Sequence, residues 1–242
     1  MLTEFEARDE PDGFAKALTE HFAADGIRFF APRPDRWYAR LAAPRRLITA
    51  SLSEARGRNI ARFQPRGEDA LWLKKLANEA QMVLHAHPDN AAREERNEPT
   101  VNSVWFWGGG ARPDVTSKPF EAVWADNPLA QGLAAAAGLP TMPLPESGAG
   151  WLDADPAEGD HLVVLDDLSH DAAYGDIEGW RNTLEMLERK WFVPLYAALK
   201  SARLSRLAIH AIQENGSTVF NVTRLGLWKA WRRARKLDAY AP

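Results

Sequence analysis

The chain has 242 residues, enough for one large domain or two small ones with a substantial core. Its net charge of −3 gives no general pull toward nucleic acid, and the absence of cysteine excludes disulfides, thiolate catalysis and cysteine metal sites. No apolar run reaches the roughly 20 residues that span a bilayer, and the acidic N-terminal segment lacks a signal-peptide core, so we expect a cytoplasmic protein.

The first hundred residues predict a small α+β unit. A short helix is expected over Gly13–Ala24, with apolar residues at helical spacing. Prolines and glycines separate three short apolar runs, Ile27–Phe30, Trp37–Leu41 and Arg46–Ala50, a pattern typical of a small antiparallel sheet. Residues 65–87 then predict a helix with acidic residues in its first turn and an apolar stripe.

The next segment predicts a buried strand that runs into a glycine turn. Val101–Trp107 is apolar and alternating, and two indoles, Trp105 and Trp107, fall on one face of the expected strand. Three glycines, Gly108 to Gly110, follow and permit positive φ or the close approach of a ligand. A ligand site at the carboxyl end of a strand and an ordinary strand end with a permissive turn both fit this pattern.

The rest of the chain alternates strands and helices, which indicates a mostly parallel sheet. Asn127, Pro128 and Gly138 have the residue types expected at the N-cap, first turn and stop of one helix. The apolar stripe of a long helix, Ile177–Leu199, contains Pro194, which should kink it. We expect four strands in one sheet, the last forming a hairpin with Thr218–Thr223: Val101–Trp107, Ala122–Ala125, Leu162–Asp166 and Leu207–Ala211.

Carboxylates and imidazoles cluster after the Leu162–Asp166 strand. The weak metal candidates are Asp166, His170 and His210, with Asp167 and Asp171 beside them. Such a group could hold a metal, but it is more often a turn in which aspartates cap backbone amides, and we favour the turn. No serine lies in a GxSxG elbow.

Histidines and arginines flank the expected glycine turn. Two-residue spacing points His85 and His87 apart on a helix, so we interpret them as capping or hydrogen-bonding residues. The 87–90 segment predicts a rigid turn, with Asp89 or Asn90 capping a helix over Ala91–Arg96. Arg93 and Arg112 could complete a phosphate cradle or be ordinary surface or ion-paired arginines.

A combination of motifs resembles a known family. HPDN followed by AAR, then N-x-aliphatic-W-x-W-G-x-G, is similar to the archaeal-type, cofactor-independent phosphoglycerate mutases of the alkaline phosphatase superfamily, and closest to a bacterial branch of them. Asp89 stands where that family usually has valine, and the similarity extends more weakly over residues 26–199. The matching positions are Pro88, Asn90, Arg93, Asn102, Trp105, Trp107, Gly108 and Gly110. The joint match of the two segments implies that Asn102 and Trp105 pack an open loop at Gly108–Gly110 against the His87–Arg93 turn, and Gly109→Val is then expected to cost at least about 1 kcal/mol through strain or a clash.

The resemblance implies a metal-dependent mechanism whose signatures this chain lacks. The family uses a serine nucleophile and two divalent metals held by Asp and His residues, and the metals activate the serine. The N-terminal Gly-Asp-Gly-type signature is absent, and LDDLSHDAAYGD departs from the family's second metal signature. Only Ile209-His210-Ala211 stands where the family has its late Asp-His pair.

The resulting expectation is a non-catalytic relative of these mutases. We expect an α/β core over 99–242, an α+β subdomain over 26–98 resembling the mutase insert domain, and an N-terminal lead and helix over 1–25. No cofactor is expected; the alternative is Mn or Zn in an active metal-dependent mutase or phosphatase, and a third alternative is a structural interaction module. Expected partners are a phosphorylated small molecule and a second copy of the chain, but not a membrane or a nucleic acid. The expected ligand-binding residues are Asn90, Arg93, Asn102, Gly108, Gly109, Gly110 and Arg112.

Overall fold

A computed structural model describes residues 11–33, 36–111, 114–115, 117–213 and 216–227. The chain divides into two compact units, Met1–Pro113 with Ser169–Asp176, and Asp114–Leu168 with Ile177–Pro242. The domain boundaries expected from the sequence, after residues 25 and 98, stay a prediction. None of the described helices is long and apolar enough to cross a membrane.

The first unit is built from helices around a two-stranded ribbon. Strands β1 and β2 pair antiparallel, as predicted. The prediction of a third strand over Arg46–Ala50 is wrong, because only one bridge forms there, between Ile48 and Arg66. The elements of this unit are α1 (Pro11–His21), β1 (Arg28–Arg33), β2 (Arg36–Arg40), α2 (Leu52–Ala55), α3 (Ala70–His85), α4 (Pro88–Glu95) and α7 (Leu168–Tyr174), with 3-10 turns at Ala23–Asp25 and Ile60–Phe63.

The core of the first unit joins α1, α3 and the ribbon. Phe14 and Leu18 on α1 and Phe22 directly after it recur at helical spacing and are fully buried. They meet the stripe of α3, in which Leu84 is also completely buried. The inner face of the ribbon contributes Phe29 to the same core. The amphipathic patterns of α1 and α3 therefore position the ribbon.

The second unit contains a small parallel sheet. Its strand order is β4-β3-β5, with β3 paired in parallel to both neighbours. This sheet and its helices confirm the expected α/β class. The elements are β3 (Ala122–Trp124), α5 (Pro128–Ala137), β4 (Thr141–Met142), α6 (Gly148–Asp153), β5 (His161–Val163), α8 (Ile177–Leu187), α9 (Val193–Lys200), β6 (Arg206–Gln213), β7 (Gly216–Thr223) and α10 (Arg224–Leu227).

Two of the four segments that were expected to form one sheet are not part of it. Val101–Trp107 forms no strand and belongs to the first unit. The late strand, Leu207–Ala211, lies in β6, which pairs only with β7 in a two-stranded sheet of its own. An apolar, alternating pattern specifies an extended segment with one buried face, but it does not specify which strand the segment pairs with. The expectation of a single sheet was therefore wrong.

The long helix after Gly175 contains the disturbance that Pro194 predicts. Five residues of π-helix, Glu188–Phe192, separate α8 from α9. Pro194 has no N–H to donate back along the helix, and the wider π turn accommodates that loss. Leu187, Trp191 and Leu195 are buried and pack with Trp151 of α6. The predicted stripe therefore stays continuous through the interruption.

Gly148 allows this packing, because it brings α6 against the π turn. A side chain added at Gly148 would begin 3.0 Å from the Trp191 carbonyl oxygen and 3.1 Å from Leu195 Cγ. We expect Gly148→Ala to lower the free energy of unfolding by about 1–3 kcal/mol through overpacking. Equilibrium urea unfolding measures this change.

The matched control is Gly132→Ala, also in a helix of the second unit. No atom lies within 4 Å of the added group there. Alanine should therefore stabilise α5 by roughly 0.5–1 kcal/mol through its better helix propensity. Equal effects of the two substitutions would contradict the packing argument.

Candidate functional site

The histidine of the HPDN motif caps a helix and does not face solvent as a free ligand. His87 precedes α4, and its Nδ1 accepts the backbone N–H of Asp89 at 3.3 Å. Its ring packs against Phe14, with centroids 4.6 Å apart. Pro88 occupies the first turn of α4, where its missing N–H has no intrahelical partner to lose. The expected helix over Ala91–Arg96 thus begins three residues earlier, and His87 is the cap in place of Asp89 or Asn90.

Asn90 is buried and saturated with hydrogen bonds to the backbone. Only 4% of it is exposed. Its Nδ2 donates to the carbonyl oxygens of Leu84 at 2.7 Å and Val101 at 2.9 Å, and its Oδ1 accepts the Val101 N–H at 2.8 Å. The amide therefore pairs with Val101 as a neighbouring strand would, and it ties the end of α3 to the extended segment.

Arg93 closes the turn after α4. Arg93 is 3% exposed, and its Nε donates to the Pro99 carbonyl at 2.8 Å. Its Nη1 lies 3.8 Å from a Glu98 carboxylate oxygen, and the Glu98 N–H donates to the Arg93 carbonyl at 2.9 Å. Of the two interpretations that the sequence left open, this geometry matches the ion-paired arginine.

The glycine turn lies on a different part of the first unit. Trp105 Nε1 donates to the Ala50 carbonyl at 3.0 Å, and the Gly108 N–H donates to Thr49 Oγ1 at 3.2 Å. The sequence-based hypothesis placed Asn102 and Trp105 between the glycines and the His87–Arg93 turn. The described contacts do not include this packing, which stays a prediction: Trp105 binds Ala50, and Asn102 is exposed. Val101 provides the contact with Asn90 instead.

The three glycines present open backbone. No atom lies within 4 Å of the position where a side chain would begin at Gly108, Gly109 or Gly110. Only Gly108 has positive φ, at +67°. The expectation that valine at Gly109 meets strain or a clash is therefore wrong. Arg112, the last expected ligand-binding residue, lies outside the described residues.

The metal candidates do not form a centre. Asp166 Oδ2 accepts a hydrogen bond from Asn127 Nδ2 at 2.8 Å. His170 packs its ring on Tyr174, with centroids 4.9 Å apart, and His210 is exposed on β6. Within the part of the chain that the structure describes, no group of three His, Asp or Glu side chains could hold a metal ion. These residues do not fit the two-metal site that the resemblance implies.

One polar cluster could not be predicted from the sequence, because its residues lie far apart in the chain. Trp124 Nε1 donates to His161 Nδ1 at 3.3 Å, so Nε2 carries the ring proton and donates to the Ala157 carbonyl at 2.8 Å. The Trp151 ring meets His161 edge-on at 5.9 Å. Both nitrogens of His161 are thus engaged, and the imidazole fastens the start of β5 to the core.

Comparison with known proteins finds similarity over part of the chain. It is 34% identical over 128 residues to a probable 2,3-bisphosphoglycerate-independent phosphoglycerate mutase of Geobacter sulfurreducens, covering 50% of this chain and 32% of that protein. It is 28% identical over 114 residues to a 2,3-bisphosphoglycerate-independent phosphoglycerate mutase of Methanosarcina mazei, covering 45% of this chain and 28% of that protein. No family model matches.

A solved structure was also found. The cofactor-independent phosphoglycerate mutase from Thermoplasma acidophilum gives a TM-score of 0.36 at 15% identity, over 77% of this chain and 56% of that one.

The sheet and helices define an α/β protein. Over about half its length, its curated relatives are 2,3-bisphosphoglycerate-independent phosphoglycerate mutases, mostly archaeal, which confirms the resemblance as a partial-chain similarity. The matched region spans about a third or less of the length of these relatives.

The Asn90 amide predicts a large stability effect from one substitution. Asn90→Ala leaves both backbone groups of Val101 without this partner in a buried site, and it removes one hydrogen bond from the Leu84 carbonyl, which still accepts the His87 N–H. We expect a loss of at least about 2 kcal/mol in the free energy of unfolding, measured by urea denaturation. Asn102→Ala is the control, since Asn102 is exposed in the same segment; its effect should stay within about 0.5 kcal/mol. A similar small effect at Asn90 would show that the amide does not hold the segment.

The glycine turn predicts different outcomes at adjacent positions. Gly108→Ala forces a side chain into left-handed backbone and should cost about 1 kcal/mol of unfolding free energy. Gly109→Val adds a larger group into open space, and should change the unfolding free energy by less than about 0.5 kcal/mol. The same denaturation measurement distinguishes them. A larger loss at Gly109 than at Gly108 would contradict this geometry.

Proposed function

We propose that this chain, taken alone, is a non-catalytic relative of 2,3-bisphosphoglycerate-independent phosphoglycerate mutase, with a binding or regulatory role. The supporting observation is the arrangement of its carboxylates and imidazoles. Asp166 is engaged by Asn127, and His170 by Tyr174. A two-metal phosphoryl site needs several such groups converging on ions about 3.5–4 Å apart, and the described residues provide no such convergence.

The proposed ligand is a phosphorylated small molecule at the glycine turn. Open space beside Gly108–Gly110 leaves room for a phosphate to approach the backbone N–H groups of Gly109 and Gly110, which attract anions, whereas the Gly108 N–H donates to Thr49. Asn102, exposed six residues earlier, adds a neutral amide to the proposed site, as Arg112 would add a charge. Asn90 and Arg93 act indirectly in this proposal, because they fix the segment that leads to the glycines.

A second function is supported by the lengths of the relatives. Because the matched region covers at most 32% of the Geobacter protein, the remaining metal ligands and the serine of an active mutase could belong to another chain or a longer protein. In that case this chain is part of a metal-dependent mutase that uses Mn or Zn.

Metal content and turnover distinguish the two functions. For the purified chain we expect no stoichiometric manganese or zinc by elemental analysis. Added manganese should neither raise the melting temperature nor start turnover of 3-phosphoglycerate. Two bound metals, or mutase turnover lost in Asp166→Ala or His170→Ala, would establish the enzyme and refute the non-catalytic role.

Ligand-induced stabilisation tests the binding role. We expect 3-phosphoglycerate or inorganic phosphate to raise the melting temperature, since a ligand at 100 times its Kd stabilises the fold by about 2.7 kcal/mol. Gly109→Val should abolish this rise while leaving the melting temperature of the free protein unchanged, because valine fills the open space. Gly132→Ala, in the second unit, is the control that should keep the response. No rise with either ligand would favour a structural interaction module.

A further inference from the structure

Residues 26–67 are strongly basic, although the net charge of the whole chain is negative. Residues 26–67 contain ten arginines, no lysine and two acidic residues, a net charge of +8, whereas the whole chain has −3. Four of these arginines lie on β1 and β2, the ribbon of the first unit. Regional charge of this kind is what attracts a polyanion, and a net charge averaged over the chain conceals it.

The ribbon presents two arginines and two aromatic rings on one exposed face. Arg28 lies opposite Arg40, and Phe30 lies opposite Tyr38. Because side chains alternate along a strand, these four residues share one side of the ribbon, whereas Phe29 packs in the core. We call these four residues the ribbon face. Phe30 is 47% exposed and Tyr38 is 50% exposed.

The arginine pair is unfavourable for the fold itself. Like charges directly opposite each other destabilise an antiparallel pair. Neither Arg28 nor Arg40 makes an ion pair with any residue that the structure describes. The exposed aromatic pair likewise adds nothing to the core. An anionic, ring-bearing partner would turn both features into favourable contacts.

The face is also held in place. Thr19 of α1 covers the free edge of β1: its Oγ1 accepts the Phe29 N–H at 2.9 Å. Trp37 packs on the core from the inner side of β2. A groove of about 460 Å³ runs beside Phe30 and is lined also by Asp12, Lys16 and Pro32. The Arg28–Arg40 pair and the Phe30–Tyr38 pair are two residues apart along the strands, a distance of about 6.6 Å.

We propose that the ribbon face binds single-stranded nucleic acid, with bases stacked on Phe30 and Tyr38 and phosphates held by Arg28 and Arg40. Exposed rings recognise unpaired bases, whose faces are available, and guanidinium groups bind phosphate oxygens in pairs. This inference is independent of the mutase-related role proposed above. It is contrary to the sequence-based expectation that nucleic acid is not a partner, and the experiment below distinguishes the two.

Other occupants fit this face less well. A small ligand needs a site that encloses most of its surface, whereas the four side chains of the ribbon face are exposed to solvent beside an open groove. A protein partner would need about 800 Å² on each side, far more than four side chains on two short strands supply.

The test uses the full chain and a fluorescein-labelled 12-nucleotide oligouridylate, with binding followed by fluorescence anisotropy. We expect a micromolar Kd at 50 mM NaCl, and weaker binding of an RNA duplex of the same length. Phe30→Ala and Tyr38→Ala should each weaken binding roughly 5- to 150-fold without altering its salt dependence. Arg28→Gln and Arg40→Gln should each lower the slope of log K against log salt by about 0.7.

Matched controls keep the test specific. Arg62→Gln removes an exposed arginine of the same segment away from the ribbon, and Tyr196→Ala removes a tyrosine that is 46% exposed in the second unit. Both should bind like the unchanged protein, and circular dichroism should show every variant folded. Binding that is insensitive to Phe30→Ala and Tyr38→Ala, or absent at 50 mM NaCl, overturns the proposal. Self-association lost in Phe30→Ala, seen by sedimentation without oligouridylate binding, would assign the face to a second copy.

Discussion

The first unit depends on one buried amide. Asn90 makes three hydrogen bonds to backbone atoms of Leu84 and Val101, and it replaces the strand partner that an extended segment ordinarily needs. Val101 belongs to the buried core, and Val104 and Phe106 further along the segment pack against the same core. Trp105 is left to bind Ala50, and the glycines emerge at the surface. A buried polar group that is fully satisfied specifies a single arrangement in this way.

The residues on which the resemblance rests make contacts that stabilise the local structure. His87 caps α4, Pro88 begins it, Asn90 holds Val101, and Arg93 binds the Pro99 carbonyl. Each of these contacts serves the local fold, whether or not the chain catalyses anything. Activity depends on separate ligands, and the candidates for these are dispersed among other contacts.

Local signals in the sequence predicted local structure well. Asn127 accepts hydrogen bonds from two backbone N–H groups at the start of α5, and Gly138 ends that helix in left-handed backbone. The β6–β7 hairpin and the interruption near Pro194 were likewise predictable, because turn residues and a missing N–H act within a few residues. Pairing between distant segments was not predictable. Nothing in the spacing shows that Val101 pairs with an amide eleven residues away, or that β6 stays outside the β4-β3-β5 sheet.

The difference between local signals and distant pairing also explains why the ribbon face could not be predicted from the sequence. Overall charge is a sum, and binding depends on which charges share a face. The register that brings Arg28 opposite Arg40 and Phe30 opposite Tyr38 is a tertiary fact, although the density of arginine in residues 26–67 was readable in advance. In the first unit, therefore, the glycine turn offers backbone N–H groups, whereas the ribbon offers guanidinium groups and rings. The former suits a single phosphate and the latter a chain of them, because stacking and repeated charge gain strength only along a polymer.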